Sequence, residues 1–209
     1  MYIAIEGTKG VGKSTILEQL KVKLIQEGVV FSTFSPTKAM PKHIWWEQAY
    51  LQYANDDGFI SDLYTARANY HAQQTDFSSS FVLGDRSMLT SFVTRWPNHS
   101  FDVESYIRRV KQKEHSVPVP DFVIYLDLPI EVTLDRLANR KRNYGLYDEQ
   151  IERLIQAKFA YEQFFKLKNE LGFESLAYQY VDADQSQADL VSQIYTLVQN
   201  KLDKNMIFQ

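Results

Sequence analysis

Cysteine is absent from the 209 residues, which excludes disulfide staples and thiolate metal sites and leaves the fold to its core. No apolar run approaches the roughly 20 residues of a membrane-spanning helix. The N-terminus has the pattern of a buried strand rather than of a basic leader with an apolar stretch behind it. The expected location is therefore the cytoplasm, with no membrane partner. A surplus of charge is lacking too. With Lys+Arg 23 against Asp+Glu 26, a net charge of −3 argues against a general nucleic-acid binder, so any anion must be met by local positive groups. Glycine is scarce, 8 in all, yet Gly7, Gly10 and Gly12 fall within one short stretch.

What is present is an ordinary globular composition, 44% hydrophobic and 23% charged, with an aromatic share of 14% that suffices for stacking surfaces as well as core. The length suits one α/β domain over 1–209, with a sheet buried between two helical layers. The glycine stretch carries the strongest chemistry. Gly7, four residues, then Gly12, Lys13 and Ser14 satisfy G-x-x-x-x-G-K-[ST], with the apolar run Tyr2 to Ile5 before it and an amphipathic run after it. Gly7, Gly10 and Gly12 let the backbone turn its N–H groups inward, and the helix starting at Lys13 adds its positive end. Gly7 to Thr15, including Thr8, Lys9 and Val11, thus predict a polyphosphate cradle: Lys13 on the β- and γ-phosphates of ATP, and the Ser14 hydroxyl on Mg²⁺.

Strand and helix alternate along the rest. Ile16, Leu17, Leu20 and Leu24 recur at helical spacing, Gly28 ends that helix, and Val29-Val30-Phe31 begins a second strand. Residues 32–42 carry Pro36 and Pro41 and no periodicity, so they read as a loop at the carboxyl end of that strand, where ligands of parallel sheets bind. Helical stretches follow at about 43–55 and 59–74, the second presenting Leu63, Arg67 and Tyr70 near one face. Phe81 to Leu83 form a strand ending in Gly84-Asp85-Arg86. An acid there suits a metal held beside phosphates, though Asp85 also stands where it could cap a helix at 88–94. A strand at 122–127 ends in Asp127, a capping or supporting acid as readily as a ligand, and Pro129 starts a helix through Arg140. Arg136, Arg140, Lys141 and Arg142 form the densest basic cluster. With the connection to Asp148 they have the composition of a lid, about 137–150, whose cations Arg140 and Arg142 can offset charge on a transferring phosphoryl group; a solvated helix face is the alternative. A helix at 149–170, a strand at 178–181 and a helix at 185–202 complete the chain.

Ile5-Glu6-Gly7 leading into the loop, Ala66-Arg67-Ala68, Gly84-Asp85-Arg86, and Pro120-Asp121 with Tyr125-Leu126-Asp127 and Glu131-Val132 together resemble the P-loop nucleoside and nucleotide kinases, thymidylate kinases in particular. That resemblance implies a three-layer fold with a five-stranded parallel sheet of order 2-3-1-4-5, transfer from ATP with Mg²⁺ to dTMP, and a small-molecule partner, with a homodimer left open. It implies that Arg67 and Arg86 hold the acceptor, that Pro36, Leu63 and Tyr70 line its site, and that Asp85 lies near the metal. Two departures stand out. Where thymidylate kinases carry Arg-Glu-Pro after strand two, this chain has Phe34-Ser35-Pro36, and Leu63 stands where that family offers a phenylalanine to stack on thymine. Lys9 takes a loop position where that family tends to have an acid, and could add positive charge at the phosphates. Asp85-Arg86-Ser87 and Arg136-x-x-x-Arg140-x-Arg142 resemble deoxynucleoside kinases as well, so phosphorylation of a 5′-hydroxyl, and a nucleotide-binding relative without turnover, remain alternatives.

Overall fold

In the computed structural model, residues 1–97, 103–139 and 147–207 are described. Strands β1 (Tyr2–Glu6), β2 (Ser32–Phe34), β3 (Val82–Asp85), β4 (Phe122–Asp127) and β5 (Ala177–Asp182) form one parallel sheet of order β2-β3-β1-β4-β5, the expected class and order. The central strand takes its register from both neighbours, with Ile5 beside Asp85 and Glu6 beside Tyr125.

The sheet is covered on both faces because its central strands are apolar in both phases of their alternation. Tyr2 and Ala4 of β1 and Val123 and Tyr125 of β4 face one core, closed by Phe92 of α4 (Met88–Thr94) and by Tyr161 and Phe164 of α7 (Ile151–Leu167). Ile3 and Ile5, with Ile124 and Leu126, face the other, closed by α1 (Lys13–Gln26) and α8 (Gln187–Ile207) through Leu17, Leu20, Ile194 and Val198. A small third cluster of Met40, Ile60 and Leu63 ties the loop after β2 to α3 (Asp57–Gln74), with Trp46 and Tyr50 of α2 (Trp45–Tyr53) packed against it.

The sequence reading contained no helix between α4 and β4, whereas α5 spans Val103–Lys113. Its buried Ile107 is flanked by Val103, Tyr106 and Val110 at helical spacing, and the opposite face carries an i,i+4 pair, Arg108 to Glu104 at 2.5 Å. So narrow an apolar stripe on a basic helix is a weak signal without the core it meets. The helix expected to run through Arg140 is α6 (Ile130–Ala138), which ends earlier. Arg140, Lys141 and Arg142, with the lid as far as residue 146, lie outside the described residues. Among those described, no helix is long and apolar enough to cross a membrane.

Candidate active site

The loop after β1 is shaped by close approaches that only glycine permits. A Cβ on Gly7 would stand 2.7 Å from the Leu126 carbonyl oxygen, and one on Gly10 2.6 Å from Thr133 Cγ2. Gly12, at φ 99, turns the chain into α1, whose first amides face the loop. Lys13 is 7% exposed, and its Nζ donates to the carbonyls of Gly7 (2.8 Å) and Thr8 (2.7 Å), so the ammonium already sits inside the cradle. Ser14 and Thr15 are exposed on the first turn, while Val11 is buried beneath it. Arg136, counted among the lid cations, braces the loop from outside: Nη1 donates to Val11 O (3.3 Å) and Nη2 to Ala183 O (3.1 Å).

Behind the loop lies a fully buried carboxylate. Glu6 Oε1 accepts from the Ser87 amide (2.7 Å) and hydroxyl (2.8 Å), and Oε2 from Thr90 Oγ1 (2.9 Å) and the Tyr161 hydroxyl (2.7 Å). Burial, and then the Glu6 charge, push the Tyr161 phenol far above its ordinary value, so it stays a donor. One acid thereby joins β1, α4 and α7. With four donors on it, Glu6 is a scaffold rather than a metal ligand. In the sequence Glu6 is marked only by the family resemblance and by its place as an acid ending an apolar strand.

Arg86 holds a left-handed backbone (φ 77), uncommon outside glycine. Its N–H donates to Ile5 O (3.0 Å), its carbonyl accepts from Tyr2 Oη (3.3 Å), and Nη1 reaches Gly7 O (3.2 Å) and Thr90 Oγ1 (3.1 Å). A strained residue over-determined on every side is the pattern of a functional position. Burial works against the guanidinium, but Tyr161, Glu6 and Asp85 outweigh it and raise its pKa, so it stays charged. Asp85 is not the cap of α4: Ser87 fills that role by accepting from the Leu89 amide (3.2 Å), which leaves the Asp85 carboxylate facing the cavity.

A cavity of about 600 Å³ is lined by Gly7, Thr8, Lys9 and Ser14 of the loop, by Asp85 and Arg86, and by a far wall from the loop after β2, α2, α3 and the segment before α7. On that wall Arg67 forks onto Glu47, Nε to Oε1 at 2.6 Å and Nη2 to Oε2 at 2.7 Å, with the Tyr50 ring 5.6 Å from the guanidinium. Asp148, in the 3-10 turn Tyr147–Glu149, accepts from Tyr64 Oη (2.6 Å) and pairs with Lys9 (3.4 Å) and Arg95 (3.6 Å). Burial would raise the Asp148 pKa, but Lys9, Tyr64 and Arg95 together hold it below the usual carboxylate value. Burial likewise lowers the Lys9 pKa against the pull of Asp148. Glu47 and Asp148 are cavity carboxylates that sequence reasoning missed, since each is recognisable only through its partner.

Three expected acceptor contacts stand elsewhere. Leu63 is fully buried against Met40 and Ile60, Tyr70 packs on the same cluster edge-on to His71 (5.2 Å), and Pro36 is buried beside the wall residues Ser35 and Thr37. Leu63 belongs to a helix face turned toward α2 rather than toward the cavity, which corrects its expected place in the lining of the acceptor site. Phe34 is core, 1% exposed, so its side chain leaves the cavity wall to Ser35. Asp127 pairs with Lys158 of α7, a supporting contact.

The sequence family described as thymidylate kinase matches residues 5–194. Similar curated relatives include a probable thymidylate kinase 1 of Saccharolobus solfataricus, 28% identical over 96% of this chain and 97% of the relative. A thymidylate kinase of Staphylococcus haemolyticus is 24% identical over 96% and 98% respectively. Among solved structures, deoxyadenosine kinase from M. mycoides with bound dATP shares the fold, with a TM-score of 0.68 at 22% identity over 97% of this chain and 100% of that one.

Proposed function

The chain belongs to the thymidylate kinase family and is a nucleotide kinase; from that premise we propose that it moves the γ-phosphoryl group of ATP to the 5′-phosphate of a deoxynucleoside monophosphate, dTMP first. The observation that carries this reading is one cavity shared by the phosphate loop and by a cation-bearing wall, with Asp85 and Arg86 at the tip of β3, the strand between β1 and β2. An acceptor on that wall shares one cavity with a donor phosphate on the loop, and phosphoryl transfer needs little beyond such positioning and charge.

In this reading the loop amides and the N-terminus of α1 hold the ATP phosphates, with Lys13 moving from the Gly7 and Thr8 carbonyls onto the β- and γ-oxygens. An oxygen of the acceptor phosphate attacks the γ-phosphorus while the bond to the bridging oxygen of ADP breaks, and Lys13 and Arg86 offset the charge on that oxygen and on the phosphoryl group. A phosphate is already a nucleophile, so no base is required. Ser14 and Asp85 would hold Mg²⁺: a hydroxyl and a carboxylate line the same cavity, and no cluster of three acidic or histidine side chains exists among the described residues, which suits an ion that takes most of its oxygens from phosphates and water. When bound, that ion would supply further neutralisation of phosphate charge. Arg140 and Arg142 belong to the proposal as lid cations.

ADP release measured across deoxynucleosides and their monophosphates tests the assignment, with dTMP expected to give the higher kcat/KM over thymidine. Transfer to a nucleoside hydroxyl is the second reading, and Glu47 is what favours it: the guanidinium expected on the acceptor phosphate is already matched by a carboxylate, and a hydroxyl acceptor needs a base among Glu47, Asp85 and Asp148. Turnover of nucleosides with every monophosphate inert would establish it.

A further inference from the structure

We propose that Lys38, which the sequence did not single out, is the cation that receives the acceptor's 5′-phosphate, and that Arg67 holds the segment presenting it. The inference rests on the monophosphate reading above. Three Arg67 donors are engaged: Nε and Nη2 fork onto Glu47 and Nη1 donates to Thr37 O (3.3 Å), with its side chain 11% exposed. Both Glu47 oxygens are engaged too, Oε1 also accepting the Met40 amide (2.9 Å). Burial pushes the Glu47 pKa up, but Arg67 and the Met40 amide outweigh it and hold the carboxylate charged. Pulling Arg67 onto a phosphate would strand that carboxylate, so the pair acts as a clasp.

What the clasp holds is the backbone on either side of Lys38. The Lys38 amide closes a turn onto Ser35 O (3.2 Å), and its carbonyl accepts from His71 Nε2 (2.9 Å), which must therefore carry the proton. Thr37 O is held by Arg67 and the Met40 amide by Glu47, so anchors lie on both flanks as well. From this fixed backbone the Lys38 side chain emerges exposed on the cavity wall. The other cations lining the cavity have counter-charges within reach: Lys9 on Asp148, Arg67 on Glu47, Arg153 on Asp57 at 2.7 Å, and Arg86 3.9 Å from Glu6. Among the described residues no carboxylate pairs with Lys38, and a phosphate with roughly two negative charges is what such an ammonium would take.

Steady-state kinetics with dTMP test this. Lys38→Gln should raise the dTMP KM about 10- to 100-fold, the range expected for losing a charge-assisted contact, with the ATP KM and kcat within about threefold. Lys38→Arg should restore most of the loss. Arg67→Lys, which keeps the charge but loses the fork, should lower Tm as well as raise KM. A Lys38→Gln enzyme with the wild-type KM for dTMP overturns the inference, and so does an Arg67→Lys enzyme with unchanged Tm and a raised KM, since that result returns the phosphate to Arg67. Failure of the underlying reading shows in the wild-type enzyme alone, as inertness toward every monophosphate.

Discussion

At the phosphate-loop end of the cavity, geometry is set by backbone: three glycines at positive φ, a lysine folded onto two carbonyls, and one buried acid that receives four hydrogen bonds. At the acceptor end, geometry is set by side chains that meet across long sequence separations, 20 residues for Arg67 and Glu47, 84 for Tyr64 and Asp148, 96 for Arg153 and Asp57. Backbone shapes tolerate few substitutions, whereas ion pairs can be exchanged as pairs. The end built from side chains is therefore the part that substitution can retune for another substrate.

The buried acids repeat the contrast. Glu6, behind the loop, is saturated with donors. Glu114, directly after α5 and equally inaccessible, has no hydrogen bond of ordinary geometry to either carboxyl oxygen among the described residues, although Ser91 and Thr65 lie near enough to lower its pKa slightly. Burial pushes that pKa up to about 8, so Glu114 is mostly protonated at neutral pH. One acid is an organiser, the other a liability of the wall formed by α3, α4 and α5.

The sharpest break of the comparison is Lys13→Ala. It should lower kcat by about a thousandfold or more, several kcal/mol of transition-state stabilisation, with the circular dichroism spectrum retained; near-normal turnover would remove the loop from the chemistry. Next in size is Glu6→Ala, which leaves the donors of α4 and α7 buried without an acceptor and should cost about 3 to 5 kcal/mol of stability by urea denaturation. A loss under about 1 kcal/mol would show that the core, not this acid, joins the helices. The Glu114 effect is smaller and depends on pH. Its folded pKa is raised from 4.5 to about 8, so its contribution is fully present below pH 4.5 and is lost as pH rises toward 8. Between pH 5.5 and 7.5 the wild type should lose about 2 to 3 kcal/mol relative to Glu114→Gln; parallel stability curves for the two would show that Glu114 ionises normally. Smallest is Asp148→Asn, which should raise the acceptor KM about fivefold, near 1 kcal/mol, and leave the ATP KM alone. An equal rise in both would mean that Lys9 and Asp148 serve the donor end.

The phosphate loop was legible because its chemistry needs particular residue types at fixed spacing. Gly7, Gly12, Lys13 and Ser14 carry that requirement wherever the chain goes afterwards. The strand order followed from resemblance, and the alternating apolar pattern accounts for the two covered faces. Leu63 was misplaced for a physical reason: a helix face can be read from period alone, but which neighbour that face meets cannot. Glu47, Glu114 and Lys38 carried no local mark at all.

By itself, then, the sequence determined the fold class, the phosphate loop and the acid and base at the end of β3, because glycine conformations, apolar period and strand ends are local properties of the chain. Only the tertiary structure decided that Glu6 is a scaffold, that Arg67 is clasped by Glu47, and that Lys38 stands on the cavity wall without a carboxylate among the described residues. The charge a side chain can offer depends on which partner the fold brings within hydrogen-bond reach, and that distance is written in no stretch of sequence.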